Sequence, residues 1–256
     1  MNSIVILFPL KGSNISIHTQ LDEEFQPGVN ARSHFMDFEF VANGDLRNFL
    51  DVKKPILTEN LLLSWANNLS SALKHLHDGV HLIHFDLKLQ NILVAEDFSL
   101  KIADMGTARN PWSVPDNCPF TRYYTAPEQL DRSLFLLGYK VDIFSLGVLL
   151  YEITNARHPF WEPVRFQTMS EQEINQSLIS NVRNYNISNF NAIFRLNREF
   201  IVLIQEMIQF DPSCRPTAGT ILNSRIIDQA SSIPARVAFG QQVHQNQRTV
   251  LEAQDA

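Results

Sequence analysis

The chain has 256 residues, 45% of them hydrophobic and 19% charged, with a net charge of −6 at neutral pH. That apolar share suffices for one good-sized core and argues against disorder throughout, while the negative balance leaves no electrostatic footprint for nucleic acid or an anionic membrane. Two cysteines, Cys118 and Cys214, imply no disulfide framework and suit a reducing compartment, the cytoplasm or nucleus.

From the start, Ile4 to Leu10 is apolar but short, has Pro9 inside it and lacks a basic lead, so it reads as a strand rather than a membrane span or leader. Ile15–Thr19 and His34–Phe40 read as further strands, with turn signals at Gly12, Pro27 and Gly28 between them. Asn43-Gly44-Asp45 breaks this β pattern, and Leu46–Leu50 forms a short helix before Pro55. Thr58 is placed to cap a helix whose apolar positions Leu61, Leu62, Trp65, Leu69, Leu73 and Leu76 recur at helical spacing until Asp78-Gly79. His75, His77 and His81 fall at the end of that helix and read as polar terminal residues rather than zinc ligands.

Ile92–Val94 and Leu100–Ile102 flank a turn at Glu96-Asp97, predicting a hairpin with Asn91 at one end and Asp104 at the other. After Asp142 the run to Thr154 is almost uniformly apolar, the mark of a helix buried on all sides. Further helices are expected near 171–182, 197–209 and 217–223, with the Asn-rich stretch 184–191 looping between them and a polar, weakly ordered tail over 232–256.

The chemistry concentrates in His84-Phe85-Asp86-Leu87-Lys88-Leu89-Gln90-Asn91, followed 18 positions after Asp86 by Asp104-Met105-Gly106. A third motif, Ala126-Pro127-Glu128, brings Glu128 24 positions after Asp104. Phosphoryl transfer calls for a carboxylate to orient an attacking hydroxyl, a carboxylate and an amide oxygen for Mg²⁺, and a cation near the phosphate. Asp86, Asp104, Asn91 and Lys88 are residues of those types. In order and spacing the three motifs resemble a eukaryotic-type protein kinase of the serine/threonine class over about Ile4 to Arg225.

The resemblance implies an α+β, protein-kinase-like fold, with a largely helical C-lobe over 43–231 and a truncated small β N-lobe and hinge over 1–42. It implies a transferase moving the γ-phosphate of ATP to a protein hydroxyl. Asp86 would be the catalytic-loop carboxylate, Lys88 the cation beside the γ-phosphate, and Asn91 and Asp104 the Mg²⁺ ligands. Phe38-Glu39-Phe40-Val41 resembles the adenine-contacting hinge. Glu39, Val41 and Leu93 are thus candidate ATP contacts, with Asp45 near the ribose. Thr121 resembles the substrate-loop Thr that bonds toward the catalytic Asp and Lys. His84, Glu128, Asp142 and Arg215 take structural roles: Glu128 and Arg215 as a buried ion pair, and Asp142 as a helix-cap acid holding the catalytic loop.

Three departures qualify the likeness. Phe85 replaces the Arg that commonly pairs with a phosphorylated activation loop, which argues against that form of control. Met105 replaces the usual Phe but stays apolar and adaptable. Ahead of Glu39 no Gly-rich phosphate loop is found, and Lys11 is the only lysine before Lys53. Two expectations follow: a kinase acting on a protein substrate, or a non-catalytic pseudokinase that binds a partner kinase or its substrates as a decoy or scaffold.

Overall fold

The computed structural model describes residues 41–113, 121–161, 166–186, 190, 195–230, 235 and 237. The strands expected between Ile4 and Phe40, the contact Glu39, residue Cys118 and most of the 232–256 tail lie outside them. Within that tail, Ala235 is buried. The architecture is α+β: a helical body carrying a two-stranded antiparallel sheet.

Helix α1 (Leu46–Asn48) widens into the turn Phe49–Lys53, which Lys54 closes in the left-handed region. Helix α2 (Glu59–Lys74) starts where the Thr58 hydroxyl accepts the Leu61 amide at 3.2 Å, satisfying one of the donors every helix start leaves open. Its apolar stripe is buried as its spacing predicts, with Leu61, Leu62, Trp65, Leu69 and Leu73 shut off from solvent.

The hairpin pairs β1 (Ile92–Val94) with β2 (Leu100–Ile102) in the register Ile92↔Ile102, Leu93↔Lys101 and Val94↔Leu100. One face is apolar and buried, the other carries Leu93 and Lys101. Trp65 Nε1 donates to the Phe98 carbonyl at 2.9 Å and Asn68 Oδ1 accepts the Leu100 amide at 3.0 Å, so α2 grips the hairpin by polar bonds as well as packing. On its other edge, β1 pairs with the segment after Val41. Asn43 N donates to Val94 O, Val94 N donates to Gly44 O, and Asp45 bridges Leu93.

Helix α3 (Pro127–Leu130) leads to the hub, α4 (Lys140–Asn155), in which every residue from Val141 onward is buried. Helices α5 (Glu171–Arg183), α6 (Arg198–Met207), α7 (Ala218–Leu222) and α8 (Arg225–Ala230) complete the described body. α7 and α8 lie against α2, and α6 against α4. The α4–α6 approach is close because Gly147 has no side chain: a Cβ there would stand 2.6 Å from Met207 Cβ and 2.7 Å from Ile208 Cγ2. No helix among the described residues is long and apolar enough to cross a membrane.

Arg215 and Glu128 lock α3 to the segment before α7. Arg215 Nη1 and Nη2 meet the two Glu128 oxygens at 2.6 and 2.9 Å, and the remaining N–H groups bond the carbonyls of Gln209, Phe210 and Lys140. All five guanidinium donors are thereby used inside the core, the condition under which a buried charge is tolerated.

Gly147→Ala is expected to destabilise the chain by about 1–3 kcal/mol through overpacking against α6, measured as a lower urea midpoint. An unchanged midpoint would mean that α6 moves away at little cost.

Candidate active site

The site is built around the catalytic-loop motif, and the hub helix holds it. Asp142 is fully buried in the first turn of α4, and its carboxylate takes three donors from outside that helix. Oδ2 accepts His77 Nε2–H and the His84 amide, each at 2.8 Å, and Oδ1 accepts the Phe85 amide at 3.0 Å. The expected helix-cap role needs correction: Tyr139 stands at the N-cap, and Asp142, inside the helix, turns its carboxylate to the loop. His77, at the end of the helical run that begins with α2, is buried and is a partner of that acid.

Phe85 is held at φ +67°, a region a bulky side chain rarely adopts, and its carbonyl accepts Gln129 Nε2–H at 3.3 Å. Bonds on both sides of this peptide hold the strained turn. His84, also buried, bonds the Ala103 carbonyl through Nε2 at 3.0 Å and accepts the Asp86 amide through Nδ1 at 3.3 Å. One imidazole thus joins the residue before Asp104 to Asp86 itself.

Asp86 Oδ2 accepts Lys88 Nζ at 2.5 Å and Asn91 Nδ2 at 3.2 Å, and Oδ1 accepts the Thr121 amide at 3.0 Å. Lys88 Nζ also donates to Thr121 Oγ1 at 2.9 Å. The structure therefore brings Asp86, Lys88, Asn91 and Thr121 into one bonded group. Asp104 adjoins it through the backbone, since the Ala103 amide donates to Asn91 O at 2.8 Å. Asp104 sits at φ +59° with Oδ1 accepting the Gly106 amide at 3.2 Å, and Met105 beside it is buried.

The donor set fits a hard cation. Asn91 uses its NH₂ group on Asp86, and among the described residues its amide oxygen and Asp104 Oδ2 accept no hydrogen bond. No cluster of three or more His, Cys, Asp or Glu suited to a metal is present among the described residues, so an amide–carboxylate pair is the candidate. Of the candidate nucleotide contacts, Asp45 and Leu93 are neighbours through their bridge, and the Val41 carbonyl accepts the Gly44 amide. Asp45 has a second task, since its Oδ1 caps α1 by accepting the Asn48 amide at 2.9 Å.

The sequence reading missed a second group behind Thr121. Glu152 of α4 accepts Arg47 Nη2 at 2.7 Å, Tyr123 OH at 3.2 Å and Tyr124 OH at 2.6 Å. His158 donates Nε2–H to the Tyr123 carbonyl while Nδ1 accepts the amides of Phe160 at 3.0 Å and Trp161 at 2.7 Å. An acid amid the apolar run Leu149-Leu150-Tyr151-Glu152-Ile153 was the available signal, because a buried carboxylate needs partners; the sequence does not say which.

Removal of the Asp142 carboxylate leaves buried donors unpaired. Asp142→Ala is expected to lose about 3 kcal/mol or more in urea unfolding. A loss under about 1 kcal/mol would show that water replaces the carboxylate.

Burial lowers the His158 imidazole to about pKa 3, a shift the Tyr123 bond only partly opposes. Its folded value lies below the unfolded one of about 6.5, so its stabilisation is complete above that pH and is lost as pH falls toward 3. Between pH 7 and 5 the wild type is expected to lose about 2 kcal/mol more than His158→Gln does in urea unfolding. Equal losses would contradict this account.

Comparison with known proteins points the same way. The family model described as protein kinase domain matches residues 13–227. Serine/threonine-protein kinase Nek5 of Homo sapiens is 30% identical over 199 residues, which is 76% of this chain and 26% of that protein. Serine/threonine-protein kinase ULK3 of Homo sapiens is 32% identical over 185 residues, 71% of this chain and 36% of that protein. Serine/threonine-protein kinase Nek4 of Mus musculus is 27% identical over 198 residues, 76% of this chain and 23% of that protein. The chain spans about a quarter to a third of the length of these curated relatives.

Proposed function

The chain belongs to the eukaryotic-type serine/threonine protein kinase family, and on that premise we propose that it transfers the γ-phosphate of ATP to a serine or threonine hydroxyl of a protein substrate. The observation that carries this reading is the bonding of Asp86. A carboxylate offers about four acceptor sites, and three are taken by Lys88, Asn91 and the Thr121 amide. The remaining one is free to accept a substrate hydroxyl, orient it and receive its proton. Lys88, tethered between Asp86 and Thr121, brings positive charge to where the phosphoryl group would arrive.

Asn91 and Asp104 would hold Mg²⁺, which when bound neutralises charge on the nucleotide phosphates. Val41, Asp45 and Leu93, with Glu39 ahead of them, form the candidate nucleotide side. On this reading residues 1–42 carry the small lobe and hinge, 43–231 the large lobe, and 232–256 a polar tail, in a protein of the cytoplasm or nucleus.

In a second reading the bonds that Asp86 makes to Lys88, Asn91 and Thr121 serve structure alone, and the large lobe is a non-catalytic pseudokinase that docks on a partner kinase or its substrates.

Thermal unfolding with Mg²⁺ and ATP separates the two. At 100 times its dissociation constant the nucleotide is expected to stabilise the fold by about 2.7 kcal/mol, and Asp86→Asn should lower phosphate transfer to a protein substrate by about 10²–10⁴-fold. No stabilisation and no transfer would sink the enzymatic reading in favour of the scaffold.

A further inference from the structure

Three parts of the chain far apart in sequence converge on the buried Glu152 carboxylate. Arg47 comes from α1, the element that follows the candidate nucleotide contacts. Tyr123 and Tyr124 come from the loop that begins at Thr121. Glu152 comes from the hub helix. Arg47 Nη2 donates to Glu152 Oε1 at 2.7 Å and to Tyr124 OH at 3.4 Å, so one guanidinium touches both the acid and a tyrosine of the loop.

Protonation locks the direction of these bonds. Burial and the neighbouring Glu152 charge push both tyrosine hydroxyls well above their usual range, so they stay donors. Burial alone would lower the Arg47 guanidinium, but the Glu152 bond and charge more than offset it and keep Arg47 cationic. The aromatic rings add a second restraint: Tyr123 lies 4.1 Å from His158 and 5.4 Å from Trp161, centroid to centroid.

From the tyrosines the chain of contacts runs directly to the reacting group. The Tyr124 amide donates to Thr121 O at 3.2 Å and Thr125 Oγ1 to the same carbonyl at 2.8 Å. Thr121 in turn gives its amide to Asp86 and accepts Lys88. A shift of the 121–125 backbone would therefore alter both groups that Asp86 chemistry needs.

We infer that Arg47 is a positioning residue for the protein substrate: bonded to Glu152 and Tyr124, it sets the 121–125 loop and, through Thr121, the alignment of Asp86 and Lys88. This rests on the kinase reading for its consequence in catalysis, but not for the linkage itself. Arg47 is about a third exposed, and Glu152 keeps two hydroxyl donors without it. The expected loss is thus local order in the loop rather than the fold.

The test uses the full chain without nucleotide. In Arg47→Met the amides of Thr121, Tyr124 and Thr125 should exchange with deuterated water about tenfold faster than in the wild type, while amides in the middle of α2 keep their rates. Arg47→Lys should restore part of the protection, since a lysine ammonium can still reach the Glu152 carboxylate. Unchanged loop exchange in Arg47→Met, or equal acceleration throughout the fold, would overturn the proposal. Given measurable transfer, Arg47→Met should also raise the KM for protein substrate about tenfold with the KM for ATP unchanged. A wild-type chain that transfers no phosphate defeats the kinase reading, while the exchange experiment still decides whether Arg47 sets the loop.

Discussion

A single buried carboxylate organises the molecule. Asp142 lies within a helix otherwise almost wholly apolar, where an unpaired charge would carry a large desolvation penalty. Its three donors remove that penalty and at the same time dictate where the His84–Phe85 backbone runs. The loop can then hold Phe85 in a strained conformation, because the amide and carbonyl of that residue are both bonded. Asp86 leaves this turn already bonded to Lys88, Asn91 and Thr121.

Two further buried acids do different work on the same framework. Glu128 meets an arginine with every donor used, and the pair is sealed from solvent, so it serves the architecture that joins α3 to the segment before α7. Glu152 is met by one partly exposed arginine and two tyrosines belonging to a loop. The same side-chain chemistry joins two elements sealed in the core in one place and a loop to the hub helix in the other. Their difference lies in burial and in what the partners are attached to.

The departures from the family pattern are absorbed locally. At position 85 the structure depends on the backbone amide and carbonyl, which phenylalanine supplies as well as arginine does, and the phenyl ring is buried. At position 105 a flexible thioether fills the space beside Asp104. Neither substitution disturbs the bonds of Asp86.

Local pattern alone determined a good part of this protein. Helical spacing marked α2, an apolar run marked the hub, two apolar runs about a turn marked the hairpin, Thr58 marked a helix start, and three short motifs marked Asp86, Lys88, Asn91 and Asp104. These were legible because periodicity and turn chemistry act between residues a few positions apart. Tertiary structure alone decided which buried polar groups meet: His77 with Asp142 across 65 positions, and Arg47 with Glu152 across 105. It also turned Asp142 away from its expected cap position and gave Asp45 the task of capping α1. A buried charge announces in sequence only that it needs a partner; which one it finds depends on how helices pack, and that is settled by the whole core at once.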